Sequence, residues 1–182
     1  MILYINSSIR NNSRTNKLAL ALLNKLGDYK EVKLDDLNLK PLNEKTLNFR
    51  TNLINNKDYN NSIFDLAKQF ADADTIVICA PYYDGSFPSL LKLYLENIYI
   101  TGIISKYSDK GIPIGLCKAS KLYYVTTAGG RYNPSFSYEY IKDLSVNMFG
   151  IKDTKLIYAE NLDIIGNNPE EILNKAIKEI QL

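Results

Sequence analysis

Apolar residues fall along this chain in two rhythms. Runs rich in aliphatic, β-branched or aromatic residues, several of them continuous, occur at Ile2–Ile5, Glu31–Leu34, Thr75–Ala80, Leu122–Thr126 and Thr154–Tyr158. Runs of this length predict strands, and their continuity predicts burial on both faces, as in a parallel sheet. Between them apolar residues recur every three or four positions, the period of a helix with one buried side. Asn16–Leu26 lines up Leu18, Leu22 and Leu26; Tyr59–Ala71 lines up Ile63, Leu66, Ala67 and Phe70. Ser89–Ile100 carries Leu90, Leu91, Leu93, Tyr94 and Ile98, and Tyr138–Phe149 carries Tyr138, Ile141, Leu144, Val146 and Met148. Asn168 followed by Pro169, Glu170 and Glu171 reads as an N-cap with proline at the first helical position, opening a helix to Ile180.

Strand and helix alternate along the whole chain. The expectation is an α/β three-layer sandwich, one domain over residues 1–182, with a five-stranded parallel sheet in the order 2-1-3-4-5. Asn38–Lys57 is polar and rich in asparagine, and is expected to be a loop with a short helix. Thr101–Ser120, with Gly102, Gly111, Pro113 and Gly115, is a second long connection. Connections of that length in compact domains usually carry function or are disordered.

Composition narrows the chemistry. Charged residues make up 23% of the chain and the formal net charge is only +2, with no basic stripe, so nucleic acid is not expected as a partner. No apolar stretch is long enough for a transmembrane helix, and the first residues lack the pattern of a secretory signal, so a cytoplasmic protein without membrane insertion is expected. Cys79 and Cys117 form neither a CxxC nor a zinc spacing and read as reduced structural thiols. Histidine is absent altogether. That removes Ser-His and Cys-His triads and histidine-ligated metals, and no metal site is expected. If the chain is an enzyme, the difficult chemistry belongs to a cofactor.

Ligands of open parallel sheets bind beyond the C-terminal ends of the strands, near the reversal of strand order. Three loops meet there. The first, Asn6–Asn16, offers hydroxyls at Ser8, Ser13 and Thr15 and cations at Arg10 and Arg14, ahead of a helix N-terminus. That is phosphate-binding chemistry, although Ser, Thr and Asn are also ordinary caps. It has neither the P-loop nor the GxGxxG pattern. The second is Ala80-Pro81-Tyr82-Tyr83-Asp84-Gly85-Ser86-Phe87-Pro88. Asp-Gly signals a tight turn, and the paired tyrosines form either packing against a neighbour or a wall for a flat ring. The third, Thr126-Thr127-Ala128-Gly129-Gly130-Arg131-Tyr132, lets backbone approach a ligand closely, or is a plain strand-to-helix loop.

With these residues the chain resembles the flavodoxin-like, FMN-dependent NAD(P)H oxidoreductases of the azoreductase and quinone reductase family. The resemblance is carried by SSIRNNSRTN, APYYDGSFPSLLKLYLENI, TGIISKYSDKGIPIGL and TTAGGRY, and it covers nearly the whole chain. It implies an FMN cofactor, NADH or NADPH as donor, and two-electron ping-pong reduction of a quinone, azo or nitro acceptor. It also implies a homodimer, and Ser89–Ile104, apolar on more than one face, is expected to be covered by a second subunit. By position, Ser8, Ser13, Arg14 and Thr15 would hold the phosphate. Pro81, Tyr82, Tyr83, Asp84 and Gly85 would line the isoalloxazine, and Thr127, Ala128, Gly129 and Gly130 its pyrimidine side. The chain departs from the family at Asp84-Gly85, because a carboxylate cannot donate to a flavin carbonyl. It departs again at Tyr132, where relatives carry histidine; here Tyr132 is expected to orient or protonate the acceptor.

Two other readings stay open at this level. One is a flavodoxin-like electron carrier without its own NAD(P)H activity, though carriers are strongly acidic and this chain is not. The other is a phosphate-ester hydrolase or nucleotide-binding protein on the same fold, for which neither histidine nor a paired acidic metal cluster is present.

Overall fold

A computed structural model describes residues 1–182. Its central sheet is parallel throughout, formed by β1 (Ile2–Asn6), β2 (Tyr29–Lys33), β3 (Thr75–Cys79), β6 (Lys121–Thr127) and β7 (Asp153–Ala159). The spatial order β2-β1-β3-β6-β7 is the expected 2-1-3-4-5. The predicted strands fall within two residues of the observed ones at every end.

Alternation within each strand divides the sheet between two cores. Leu3 and Ile5, Ile76 and Ile78, and Leu122 and Tyr124 face a cluster of 25 buried residues. Helices α3 (Asp65–Ala71), α4 (Ser89–Ile98) and α5 (Tyr138–Leu144) supply much of the rest of it. Tyr4, Val77, Cys79, Tyr123 and Val125 face the other way into a cluster of 14, against α1 (Arg14–Leu26) and α6 (Pro169–Lys178). The unbroken apolar runs are thus strands feeding both layers of a three-layer sandwich.

Four expectations need correction. Asn38–Lys57 is largely a 12-residue helix, α2 (Glu44–Asn55), capped by Asn43, whose Oδ1 accepts from the Thr46 amide at 3.0 Å. Its only buried residue is Arg50, so it has no apolar stripe to betray it. Thr101–Ser120 contains an antiparallel hairpin, β4 (Ser105–Tyr107) and β5 (Pro113–Gly115). The Tyr59–Ala71 helix begins only at Asp65, after a short 3₁₀ turn over Ser62–Phe64. Helix Tyr138–Phe149 changes at Ser145 into a π turn over Ser145–Phe149, which ends on Gly150 at φ +83°. Asn168 caps α6 as predicted, its side chain accepting from the amides of Glu170 and Glu171 with Pro169 behind it.

The hairpin joins the end of α4 to the start of β6, so it lies at the N-terminal edge of the sheet. The loops after β1, β3, β6 and β7 all leave the opposite edge.

Candidate functional site

Those four loops enclose a cleft of about 480 Å³, within the range of small-molecule sites. Its walls are Arg10, Asn12, Ser13, Arg14 and Thr15 from the first loop, and Pro81, Tyr82 and Tyr83 from the second. Thr127, Ala128 and Gly129 come from the third, and Leu162 and Asp163 from the fourth.

The floor is α1. Ser13 is its N-cap, accepting from the Asn16 amide at 3.2 Å. The Arg14 and Thr15 amides have no partner within the chain, as expected of the first turn of a helix. They face the cleft with the positive end of a 13-residue helix dipole behind them. Thr15 and Thr127 share a hydrogen bond of 2.6 Å between buried hydroxyls, tying α1 to the end of β6. Arg10 and Arg14 bring two positive charges and Asp163 one negative. Asp163 Oδ1 accepts from Arg14 Nη1 at 2.7 Å across the mouth of the cleft. Neither side chain is buried, so this pair is weak and solvent-screened.

The aromatic wall is built from the turn outward. Tyr83 and Ser86 exchange two backbone hydrogen bonds of 2.8 Å around Asp84 and Gly85. Asp84 has φ +48° and Gly85 φ +84°, the pair of left-handed residues that a type I′ turn demands and Asp-Gly favours. Tyr82 extends the sheet, donating its amide to the Thr127 carbonyl at 3.1 Å. Its ring stands edge-on against Tyr132, centroids 5.0 Å apart, and Tyr132 leans on Tyr158 at 5.4 Å.

The β6 and β7 loops are zipped together. The amides of Asn161, Leu162 and Asp163 donate to the carbonyls of Gly130, Ala128 and Gly129. A Cβ on Gly129 would lie 2.4 Å from the Asp163 carboxylate, whereas one on Gly130 would meet nothing. A side chain at the first of the two glycines would therefore displace the exposed Asp163 carboxylate, and one at the second would displace nothing.

The cleft therefore gathers Ser13, Arg14, Thr15, Pro81, Tyr82, Tyr83, Thr127, Ala128 and Gly129 from the predicted set. Ser8 lies outside it. Its hydroxyl donates to Asn6 Oδ1 at 2.6 Å, and it borders a smaller pocket with Glu31 and Lys33. Asp84 and Gly85 form the turn behind the wall, and Gly130 lies beyond the lining. Tyr132 is 7% exposed and its hydroxyl is hydrogen-bonded to Ser137 Oγ at 2.9 Å. Burial raises the affinity of that phenol for its proton, partly offset by the Ser137 bond. Facing inward, it does not suit the acceptor-orienting role expected of it; it buttresses Tyr82. Leu162 and Asp163 were missed, although the rule that picked the other loops also selects the one after the last strand. The apolar composition of α4 has a simpler origin than a second subunit, since Leu91, Tyr94, Leu95, Ile98, Ile100 and Ile104 are all buried within this chain.

The family model described as flavodoxin-like fold matches residues 1–182. The chain belongs to that family. Among flavodoxin-like relatives, an FMN-dependent NADH:quinone oxidoreductase of Clostridium perfringens is 40% identical over 124 residues, which is 66% of this chain and 61% of that protein. A second C. perfringens protein, FMN-dependent NADH:quinone oxidoreductase 2, is 34% identical over 193 aligned positions, covering 98% of this chain and 94% of its own length. Among solved structures, an azoreductase from Bacillus anthracis superposes with a TM-score of 0.84 at 20% identity, covering 98% of this chain and 95% of the other. An FMN-dependent NADH-azoreductase of the same species, in complex with FMN, superposes at 0.80 with 23% identity, covering 98% and 94%. The fold is shared with both.

Proposed function

We propose that the chain is an FMN-dependent NAD(P)H oxidoreductase that reduces a quinone, azo or nitro-type acceptor. The observation that carries the reading is the donor set of the cleft. Unpartnered amides of α1, two arginines and the Ser13 and Thr15 hydroxyls stand at one end, and a tyrosine wall stands at the other. These residues fit FMN. Arg10, Arg14, Ser13, Thr15 and the first-turn amides would hold its phosphate, and Pro81, Tyr82 and Tyr83 would flank its ring. The free amide of Gly129 is the backbone donor that the third loop brings to the cleft wall. Bound FMN would supply the two-electron carrier between donor and acceptor. The chain itself has no histidine and no metal-binding cluster with which to do that work.

The protein's own contribution is then orientation. The type I′ turn and the Tyr132 buttress fix Tyr82 before any ligand arrives, which lowers the entropy lost on binding. The Thr15–Thr127 bond fixes the phosphate end relative to the ring end. The names of the relatives favour NADH as donor and a quinone as acceptor. No helix is long and apolar enough to cross a membrane, and the reading places the enzyme in the cytoplasm. A homodimer belongs to the same proposal. Its support is an apolar flank beside the turn, where Phe136 is 71% exposed next to Phe87 and Tyr140. Sedimentation velocity at micromolar concentration is expected to show the dimer, and a monomer there rejects it.

Titration with FMN and with riboflavin tests the central claim. FMN is expected to bind and Arg14→Gln to weaken it about tenfold or more, the loss of a charge-assisted contact, with riboflavin affinity unchanged. A protein that takes up neither, or an Arg14→Gln effect equal for both, overturns the assignment. Anaerobic addition of NADH to the loaded protein is expected to bleach its visible spectrum. A spectrum that stays coloured with NADH and NADPH indicates instead an electron carrier.

A further inference from the structure

Ser8, which the cleft leaves out, belongs to a second hollow of about 250 Å³ beside β1 and β2. Its lining is polar and includes Asn6, Ser8, Arg10, Asn16, Glu31 and Lys33. Arg10 lines the cleft as well, so the two hollows adjoin at that residue. A short chain of hydrogen bonds fixes one carboxylate there. Asn6 ends β1 and is only 3% exposed. Its Oδ1 accepts from the Ser8 amide at 3.0 Å and from the Ser8 hydroxyl at 2.6 Å. A backbone amide can only donate, which settles which end of the Asn6 side chain is oxygen and turns its nitrogen to Glu31. That Nδ2 donates to Glu31 Oε1 at 2.8 Å.

Glu31 is exposed on the edge strand β2 and enters none of the chain's ion pairs, and neither does Arg10. Lys33 has only Asp36, at 3.9 Å. Asn16 accepts from the Tyr4 hydroxyl through its Oδ1, which leaves its Nδ2 free to donate. An oriented carboxylate thus stands among two cations and a spare amide donor. A simple anion would meet Glu31, and a simple cation would meet Arg10 and Lys33. A neutral pair of hydroxyls carried on a phosphate satisfies both. An ionised carboxylate only accepts hydrogen bonds, and a vicinal diol donates two. The cations then take the phosphate. In dinucleotide-binding parallel sheets an acidic residue about 20 positions beyond the first loop hydrogen-bonds a ribose hydroxyl. Glu31 holds a comparable place without the glycine-rich fingerprint.

We propose that this hollow holds the adenosine ribose of the nicotinamide donor, its diol on Glu31 and its phosphates on Arg10 and Lys33. Asn6 and Ser8 are positioning residues for the carboxylate. Resting on the oxidoreductase reading of the cleft, the site adds a donor preference to it. A phosphate ester at the 2′ position removes one hydroxyl and sets negative charge against Glu31, so NADH is favoured over NADPH.

ADP-ribose, which is the donor without its nicotinamide, and ADP-ribose 2′-phosphate are suitable probes, titrated calorimetrically into the full chain with and without FMN. ADP-ribose is expected to bind about tenfold more tightly than its 2′-phosphate, the difference a hydrogen bond to a charged group makes, and to leave FMN in place. Glu31→Gln alters an exposed side chain and is expected to weaken ADP-ribose about tenfold and erase the preference. Ser8→Ala keeps the carboxylate but loosens Asn6, and is expected to lose part of the preference, which a purely structural Ser8 would not move. Anaerobic bleaching of the loaded protein is expected to need about tenfold less NADH than NADPH, a gap that closes in Glu31→Gln. Equal binding of the two probes overturns the assignment, as does a preference that survives in Glu31→Gln. ADP-ribose that displaces FMN is bound in the cleft and overturns it too. FMN affinity is expected to be the same in both variants. A chain that takes up no FMN yet binds ADP-ribose through Glu31 overturns the reading of the cleft and keeps the diol site, so the two fail separately.

Discussion

Asp163 is the residue at which the cleft works against itself. Its carboxylate holds Arg14 by a contact of 2.7 Å at the place where a phosphate would seek the same guanidinium. Both side chains reach solvent, so the competition is worth little, on the order of 1 kcal/mol or less. Asp163→Asn is expected to tighten FMN binding a few-fold, read by fluorescence quenching, and to leave riboflavin unaffected; weaker FMN binding would show that the carboxylate orients Arg14 usefully. Tyr132 presents the opposite case, a residue that sequence position marked for chemistry and packing reassigns. Its hydroxyl serves Ser137 and its ring serves Tyr82. Tyr132→Phe is expected to lower unfolding free energy by about 1 kcal/mol, the usual net value of one hydrogen bond, and to leave turnover with every acceptor unchanged. Denaturant unfolding and steady-state kinetics on one preparation separate the two effects. Nine of the cleft residues were legible because helix caps, aromatic pairs and glycines announce themselves locally. The inward turn of Tyr132 was not, since it depends on Ser137 and Glu160, partners set by the fold.

At the level of elements, legibility followed burial. β1, β3 and β6 were read closely because both of their faces are covered, and the edge strand β7 because Leu156, Ile157 and Tyr158 keep its run apolar although it is only partly buried. β2 is an edge strand in which Tyr29, Lys30 and Glu31 are exposed and only Val32 is buried, and it was displaced by two residues at its start. Helix α2 was expected only as a short helix within a loop, for the same reason carried further, its one buried residue being an arginine. The hairpin β4–β5 is short and mostly exposed, yet one point in it is tightly held. A Cβ on Gly115 would come within 2.1 Å of the Gly150 amide nitrogen and the Phe149 carbonyl carbon, backbone atoms that cannot step aside. Gly115→Ala is expected to cost about 2–3 kcal/mol of stability, the range of overpacked cores, whereas Gly130→Ala, with open space around it, is expected to cost almost nothing. Thermal unfolding of the two variants side by side makes the comparison; equal melting temperatures would mean that hairpin and π turn are not in backbone contact.

For the whole molecule, the absence of histidine removes the usual source of pH sensitivity near neutrality, and alkali becomes the test of the core. Burial pushes the thiols of Cys79 and Cys117 up to about 12 from an ordinary 9.0. The phenols of Tyr4, Tyr94 and Tyr124 are likewise raised by burial above their ordinary value of 10.0. These acids stay neutral in the fold at pH values where the unfolded chain has begun to lose their protons. The unfolded state then binds fewer protons, so stability falls as pH rises. Denaturant midpoints are expected to be level from about pH 6 to 8 and to decline progressively between pH 9 and 12, the window those two thiols set. A flat profile through that window would mean that the buried thiols and phenols are open to water. The hairpin has a consequence at this scale too. It projects from the edge of the sheet that the cleft does not use, is pinned at Gly115, and ends in an exposed tip at Asp109-Lys110. Loop tips of that kind tolerate inserted sequence. A peptide epitope or a fluorophore grafted between Asp109 and Lys110 would give the molecule a handle on one pole while the ligand-binding pole remains untouched.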